Sequence, residues 1–150
     1  MTNCEEMFEF IYSKNLSNLE SALAKCNPNL VSEDGESLLI YAVMMENNDA
    51  VDLLLKHGAN TYTTNFLGDN ALHLAVKKGF FNIVKIIANY QGDLNVKGQD
   101  GFTALNYAAF LNEWSIAKYL AHDVKVSKDI PDDVFNLTPR QRALVSGFDL

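Results

Sequence analysis

A self-match at a step of 33 residues constrains this chain more than any other feature of its sequence. Gly35, Gly68 and Gly101 stand one step apart, as do Leu39, Leu72 and Leu105, and again Ala42, Ala75 and Ala108. Further along, Ala50-Val51, Ile83-Val84 and Ile116-Ala117 keep the same spacing, and so do Leu54, Ile87 and Leu120. A period of this size describes one supersecondary unit repeated along the chain. Each unit buries its apolar face against the next, so the expected body is a stacked solenoid rather than a globule around one core.

Within a unit the apolar residues fall at helical spacing. Leu39, Ala42 and Val43 make one i, i+3, i+4 stripe, and Val51, Leu54 and Leu55 make another, which predicts two short helices per unit. Polar breaks separate them: Glu46-Asn47-Asn48-Asp49, Lys78-Gly79-Phe80-Phe81-Asn82 and Asn112-Glu113-Trp114-Ser115. Asp49, Asn82 and Ser115 share one position in these breaks. Their side-chain oxygens can accept from the free amides of a helix start, so they are the expected N-caps of the second helices. Gly58-Ala59-Asn60 and Gly92-Asp93-Leu94-Asn95 follow, with a Gly suited to a left-handed helix end. The polar stretch before the next Gly suits a short projecting turn.

The 33-residue step, the Ser37-Leu38-Leu39-Ile40-Tyr41-Ala42 and Thr103-Ala104-Leu105-Asn106-Tyr107-Ala108 segments, His73-Leu74-Ala75, and Leu53 through Asn60 resemble the ankyrin repeat. The resemblance covers nearly the whole chain. It implies an all-α solenoid of about four helix-pair repeats plus a C-terminal half-repeat cap, in a single domain over residues 1–150. The expected repeats lie at about 3–33, 34–66, 67–99 and 100–131, with the cap at 132–150. The family's Thr-Pro-Leu-His becomes Ser37-Leu38-Leu39-Ile40, Asn70-Ala71-Leu72-His73 and Thr103-Ala104-Leu105-Asn106. No unit pairs Thr with His, which puts the side-chain bond between them in question. His73 is read as structural.

The ends read as caps. Met7, Phe10 and Ile11 match Leu39, Ala42 and Val43 at a step of 32, with Phe10 in the tight Ala slot. Thr138 to Gly147 resembles one more first helix, whose Arg140 and Arg142 are expected on a polar outer face. Lys125 to Asn136 reads as an irregular link.

Charge and composition narrow the function. The net charge of −7 divides into −8 over residues 1–75, where 11 acids face three lysines, and +1 over residues 76–150, with eight acids and nine bases. An acidic half repels phosphate backbones, which disfavours nucleic acid and favours a partner with a basic protein surface. No apolar run approaches the roughly 18 residues a membrane helix needs. The acids near the N-terminus do not fit a secretory leader, so a cytosolic protein is expected. Cys4 and Cys26 lack metal-ligand spacing and read as two reduced, buried thiols. No metal or cofactor is expected, and G-x-S-x-G, G-x-x-x-x-G-K-S/T, H-E-x-x-H and G-x-G-x-x-G are all absent.

In ankyrin proteins the partner usually touches the turn tips and the exposed face of the first helix. Carried over by alignment, the resemblance points to Glu33, Asp34, Glu36, Phe66, Leu67, Asp69, Asp100 and Phe102 at tips, and to Met44, Met45, Lys77, Lys78, Phe110 and Leu111 on the helix face. Several of these are apolar at places expected to be exposed, which marks interaction surfaces. Burial of Phe66 and Phe102 under neighbouring tips, or of Phe110 and Leu111 under the cap, is the competing arrangement. Trp114 and the Phe80-Phe81 pair are expected to pack between repeats. The resulting expectation is a monomeric protein-binding module, not an enzyme, acting as a small inhibitor, adaptor or effector. The alternatives are a hydrolase or enzyme subunit using the Glu33–Asp34–Glu36 cluster, and a self-associating structural protein.

Overall fold

A computed structural model describes residues 3–150. Among them run four consecutive helix pairs: α1 (Glu6–Tyr12) with α2 (Leu16–Leu23), α3 (Leu38–Met44) with α4 (Asn48–Lys56), α5 (Ala71–Lys77) with α6 (Phe81–Ala88), and α7 (Ala104–Phe110) with α8 (Trp114–Lys118). Beyond α8 the chain winds through one wider turn at Tyr119–Asp123, and α9 (Pro139–Val145) follows alone. The only extended pairing among the described residues is two isolated bridges, Val31 with Ser37 and Thr64 with Asn70. The body is the expected all-α repeat stack.

Two layers build it. First helices pack in the order α1, α3, α5, α7, α9, and second helices in the order α2, α4, α6, α8. Ala42, Ala75, Ala108 and Ala143 are fully buried at one equivalent position of the first helices. Leu39, Leu72, Leu105, Leu54, Ile87 and Leu120 fill the core between them.

The first helices are capped as their sequence allows. Ser37, Asn70, Thr103 and Thr138 accept from the amides of Ile40, His73, Asn106 and Gln141. In the last three the bond is returned. His73 Nδ1 accepts from the Asn70 amide at 3.2 Å, Asn106 Oδ1 from that of Thr103 at 2.8 Å, and Gln141 Oε1 from that of Thr138 at 2.8 Å. The reciprocal bond put in question by the missing Thr–His pair is therefore made by other residue pairs, each cap contributing about 1 kcal/mol.

The second-helix caps differ from the expected ones. Asn15 and Asn47 cap α2 and α4, while α6 and α8 start at Phe80 and Glu113 with no side-chain cap. Asp49, Asn82 and Ser115 lie inside their helices. The reason is a turn shorter than its polar composition suggests. One left-handed residue (Lys14, Glu46, Gly79 or Asn112) reverses the chain. The next amide then bonds back into the first helix: Asn15 to the Phe10 carbonyl, Asn47 to Ala42, Phe80 to Ala75, and Glu113 to Ala108.

Two further expectations are corrected. Cys4 and Cys26 are not free thiols but a disulfide, which ties the start of the first pair to the end of α2. At the other end, Arg142 does not face outward. It turns into the stack, where Asp132 holds it at 2.7 Å. Leu144 instead takes the outer side; it occupies the position of buried Val43 and Val76 yet is 64% exposed.

Candidate protein-binding surface

Four hairpins project from the stack, each closed by a backbone bond that spans four residues in the first three and five in the fourth. The amides of Ser32, Asn65, Gly98 and Asp132 donate to the carbonyls of Glu36, Asp69, Phe102 and Leu137. Each tip needs a left-handed residue, supplied by Gly35 (φ 81°), Gly68 (φ 92°), Gly101 (φ 70°) and Asn136 (φ 53°). The fourth is offset because the last repeat step is longer: Thr138 follows Thr103 by 35 residues. What reads as an irregular link in the sequence is thus a fourth hairpin.

The structure places the anticipated site residues in two groups. Glu33, Asp34, Phe66, Leu67 and Asp100 are exposed at tips, with Glu36 half-buried beside them. Met44, Met45, Lys78, Phe110 and Leu111 are exposed at the C-terminal ends of α3, α5 and α7, and Lys77 is half-buried. Two residues depart from expectation. Asp69 and Phe102 belong to the interior, with relative exposures of 0% and 5%.

Asp69 is buried because it bridges repeats. Its carboxylate accepts from Lys77 Nζ at 2.9 Å, from the Gln99 amide at 3.0 Å and from the Tyr107 hydroxyl at 2.9 Å. Burial pushes its carboxyl up, but these three donors more than offset that, and the group titrates below its ordinary 3.8. Burial also pushes the Tyr107 hydroxyl well above its usual range, reinforced by the bond to Asp69. His73 is buried nearby, its Nε2 at 2.9 Å from the Val96 carbonyl, and burial lowers it below 6.5.

Phe102 sits under an aromatic cluster. It stacks on Tyr107 with centroids 4.9 Å apart and meets the edge of Phe110 at 5.5 Å, while Phe110 stacks on Phe135 at 6.1 Å. The Arg142 guanidinium lies 5.0 Å from both the Phe110 and Phe135 centroids and 5.5 Å from Phe102. Asp132 anchors that cation. Burial raises the Asp132 carboxyl, but the amides of Phe135 and Val134 and the Arg142 pair bring it below 3.8 overall. The Asp132 carboxylate and the Arg142 cation are thus held together as an ion pair against the rings.

The outcome is a groove of about 360 Å³ beside the third and fourth tips. Lys77, Asp100, Phe102, Phe110 and Leu111, all singled out from sequence, line it together with Gln99, Tyr107, Val134 and Phe135. Val134 and Phe135 were hidden by the altered step of the last repeat, and Arg142 by its resemblance to a solvent-facing cap residue. Trp114 stacks on Phe148 at 4.4 Å, and Phe81 meets Tyr119 at 5.6 Å, so these aromatics pack within the stack as expected. Glu33, Asp34 and Glu36 gather no further ligands: among the described residues no group of three or more His, Cys, Asp or Glu could hold a metal.

Comparison with known proteins agrees with this architecture. A family model of ankyrin repeats in three copies matches residues 7–98 and again 62–132. The chain belongs to the ankyrin-repeat family. It is 35% identical over 92 residues to an ankyrin repeat protein of Acanthamoeba polyphaga mimivirus, covering 61% of this chain and 12% of that one. It is also 35% identical over 118 residues to an ankyrin repeat protein of fowlpox virus, covering 77% of this chain and 27% of the relative. Inversin of Canis lupus familiaris is 32% identical over 74 residues, 49% of this chain and 7% of inversin. The chain therefore spans only a small part of the relatives it matches. Ankyrin repeats are protein-binding modules, and no helix among the described residues is long and apolar enough to cross a membrane.

Proposed function

We propose that this chain binds one partner protein stoichiometrically, as a monomer, and acts as a small inhibitor, adaptor or effector. The observation that carries the reading is the groove between the third and fourth tips. Exposed Phe110, Leu111, Val134 and Phe135 stand there on a rigid base, with the Arg142–Asp132 pair fixing the rings from below. Ordered, partly exposed aromatic and aliphatic side chains are what binding hot spots are built from, since little entropy is lost when a partner covers them. Glu33 and Asp34 at the first tip add an acidic margin that favours a basic partner surface and speeds encounter.

Phe110→Ser and Leu111→Asp test this, because both positions are half open and neither fills the core. Against the cognate partner, each should weaken affinity by about tenfold or more while leaving the melting curve nearly unchanged. Unaltered affinity in both variants would rule the groove out. Light scattering tests the monomer: a dimer at working concentration would favour self-association through the same apolar face.

A further inference from the structure

The first helix pair differs from the others in how its start is held. Each later first helix begins on a side-chain cap, whereas α1 begins at Glu5 with none. Among the described residues, every hydrogen bond made by residues 3–9 stays within the segment 3–13. Met7 packs into the core, and the Phe8 ring meets Tyr41 edge to face at 5.3 Å. Ahead of Met7, the one bonded tie from these residues to the rest of the chain is the Cys4–Cys26 disulfide.

The surroundings of that link are fastened independently. The Ile11 carbonyl accepts from Asn47 Nδ2 at 2.9 Å, which pins the far end of α1 to the second repeat. On the other side of the link, Asn29 Oδ1 accepts from the Asn60 amide at 2.7 Å, and the Leu30 carbonyl from the Leu38 amide at 3.2 Å. Cys26 is therefore held in place whether or not it is bonded to Cys4. The start of α1 supplies Glu5 and Phe8 to a cleft of about 450 Å³, completed by Val31, Ser32, Glu33 and Asp34 of the first hairpin.

We propose that the Cys4–Cys26 disulfide is a reversible redox clasp on that cleft: a dithiol reductant opens it, the start of α1 leaves the first hairpin, and the rest of the stack stays folded. Cys4 is half-buried and Cys26 buried, so the thiolate of the reductant attacks the Cys4 sulfur. The S–S bond breaks, Cys26 leaves as a thiolate and takes up a proton, and a mixed disulfide forms at Cys4. The second thiol of the reductant resolves it, releasing Cys4 as a thiol and leaving the reductant as its own disulfide. Closure by the reverse exchange is favoured, because Cys26 stays fixed and only 22 residues separate the pair. The chain has two cysteines, so neither has a wrong partner within it. The oxidised chain holds Glu5 and Phe8 against the first hairpin, and the reduced chain lets both go. The acidic end thus presents a different surface in each redox state, whatever the aromatic groove binds.

The intact chain, oxidised or treated with dithiothreitol in native buffer, tests the clasp. Alkylation should find both cysteines as thiols after reduction without denaturant. Hydrogen exchange of the α1 amides should then rise at least about tenfold, while α3 to α8 keep their protection. Oxidised glutathione should return α1 to slow exchange. Cys4→Ser should exchange like the reduced chain and ignore dithiothreitol. Failure of dithiothreitol to reduce the folded chain overturns the proposal. So does reduction that leaves α1 protected, or that strips protection from the whole stack.

Discussion

At Asp69, burial and charge pull in opposite directions. A carboxylate taken out of water is costly unless donors replace its hydration, and here Lys77, the Gln99 amide and Tyr107 do so. Asp69→Ala leaves the Gln99 amide short of an acceptor and the Tyr107 hydroxyl with the Gln99 carbonyl alone, at 3.2 Å. Lys77 still reaches solvent, so the cost should fall near the low end for a broken buried pair, about 3 kcal/mol by chemical denaturation. The same cluster sets a pH response. His73 is held below its ordinary 6.5, so the unfolded chain binds its proton first. Its contribution is complete above pH 6.5 and is lost as pH falls from there toward the folded value. Asp69, held below 3.8, contributes fully above 3.8 and loses its contribution below it. Stability should thus decline in two stages on acidification, and His73→Gln should remove the upper one. Phe102 makes a plainer case. Buried against Tyr107, Phe110 and Arg142, it is a core residue, so Phe102→Ser should lower stability by about 3–5 kcal/mol.

The helix pairs were legible because their spacing is physical: a residue must recur at the same place to meet the same neighbour. Ala42, Ala75 and Ala108 are the clearest instance, each fully buried at the same place in its repeat. Ala75→Leu should overpack that position by about 1–3 kcal/mol and lower the melting temperature by several degrees. Legibility ends where a polar residue has the chemistry of a cap but not its place. Asp49, Asn82 and Ser115 have the right chemistry, but a one-residue left-handed turn starts each second helix earlier than they stand. The fourth hairpin was missed for a different reason. Two added residues move Asn136 out of the glycine register, and Asn reaches the left-handed region without being a glycine. Of the groove, the residues on α7 and the third tip could be found by alignment. Val134, Phe135 and Arg142 could not, since their placement depends on that shifted hairpin.

For the molecule as a whole, a stack in which each repeat meets only its neighbours is weakest at its ends. The Cys4–Cys26 disulfide closes the first pair across a separation of 22 residues. Reduction, or Cys4→Ser, should cost about 3 kcal/mol by the chain-entropy estimate. Because the link spans only α1 and α2, hydrogen exchange should rise in that pair first and leave α5 to α8 protected. Uniform loss of protection would mean that the stack unfolds as one unit. Charge is distributed as unevenly as stability: −8 lies in residues 1–75 and +1 in residues 76–150. Association through the acidic end should therefore slow with salt more than association through the aromatic groove.

The latch that ends each first helix is repeated at Gly147, where the Phe148 amide bonds to the Ala143 carbonyl at 2.8 Å. Five successive joints are thus built from the same left-handed residue and the same returning amide, whatever side chains surround them: Lys14, Glu46, Gly79, Asn112 and Gly147. A joint of this kind does not depend on the identity of the unit beyond it. Removal of 33 residues at equivalent positions, or duplication of them, brings together backbone groups that already fit. The chain can accordingly change length by whole repeats, and gain or lose a hairpin without redesign of the stack that carries it.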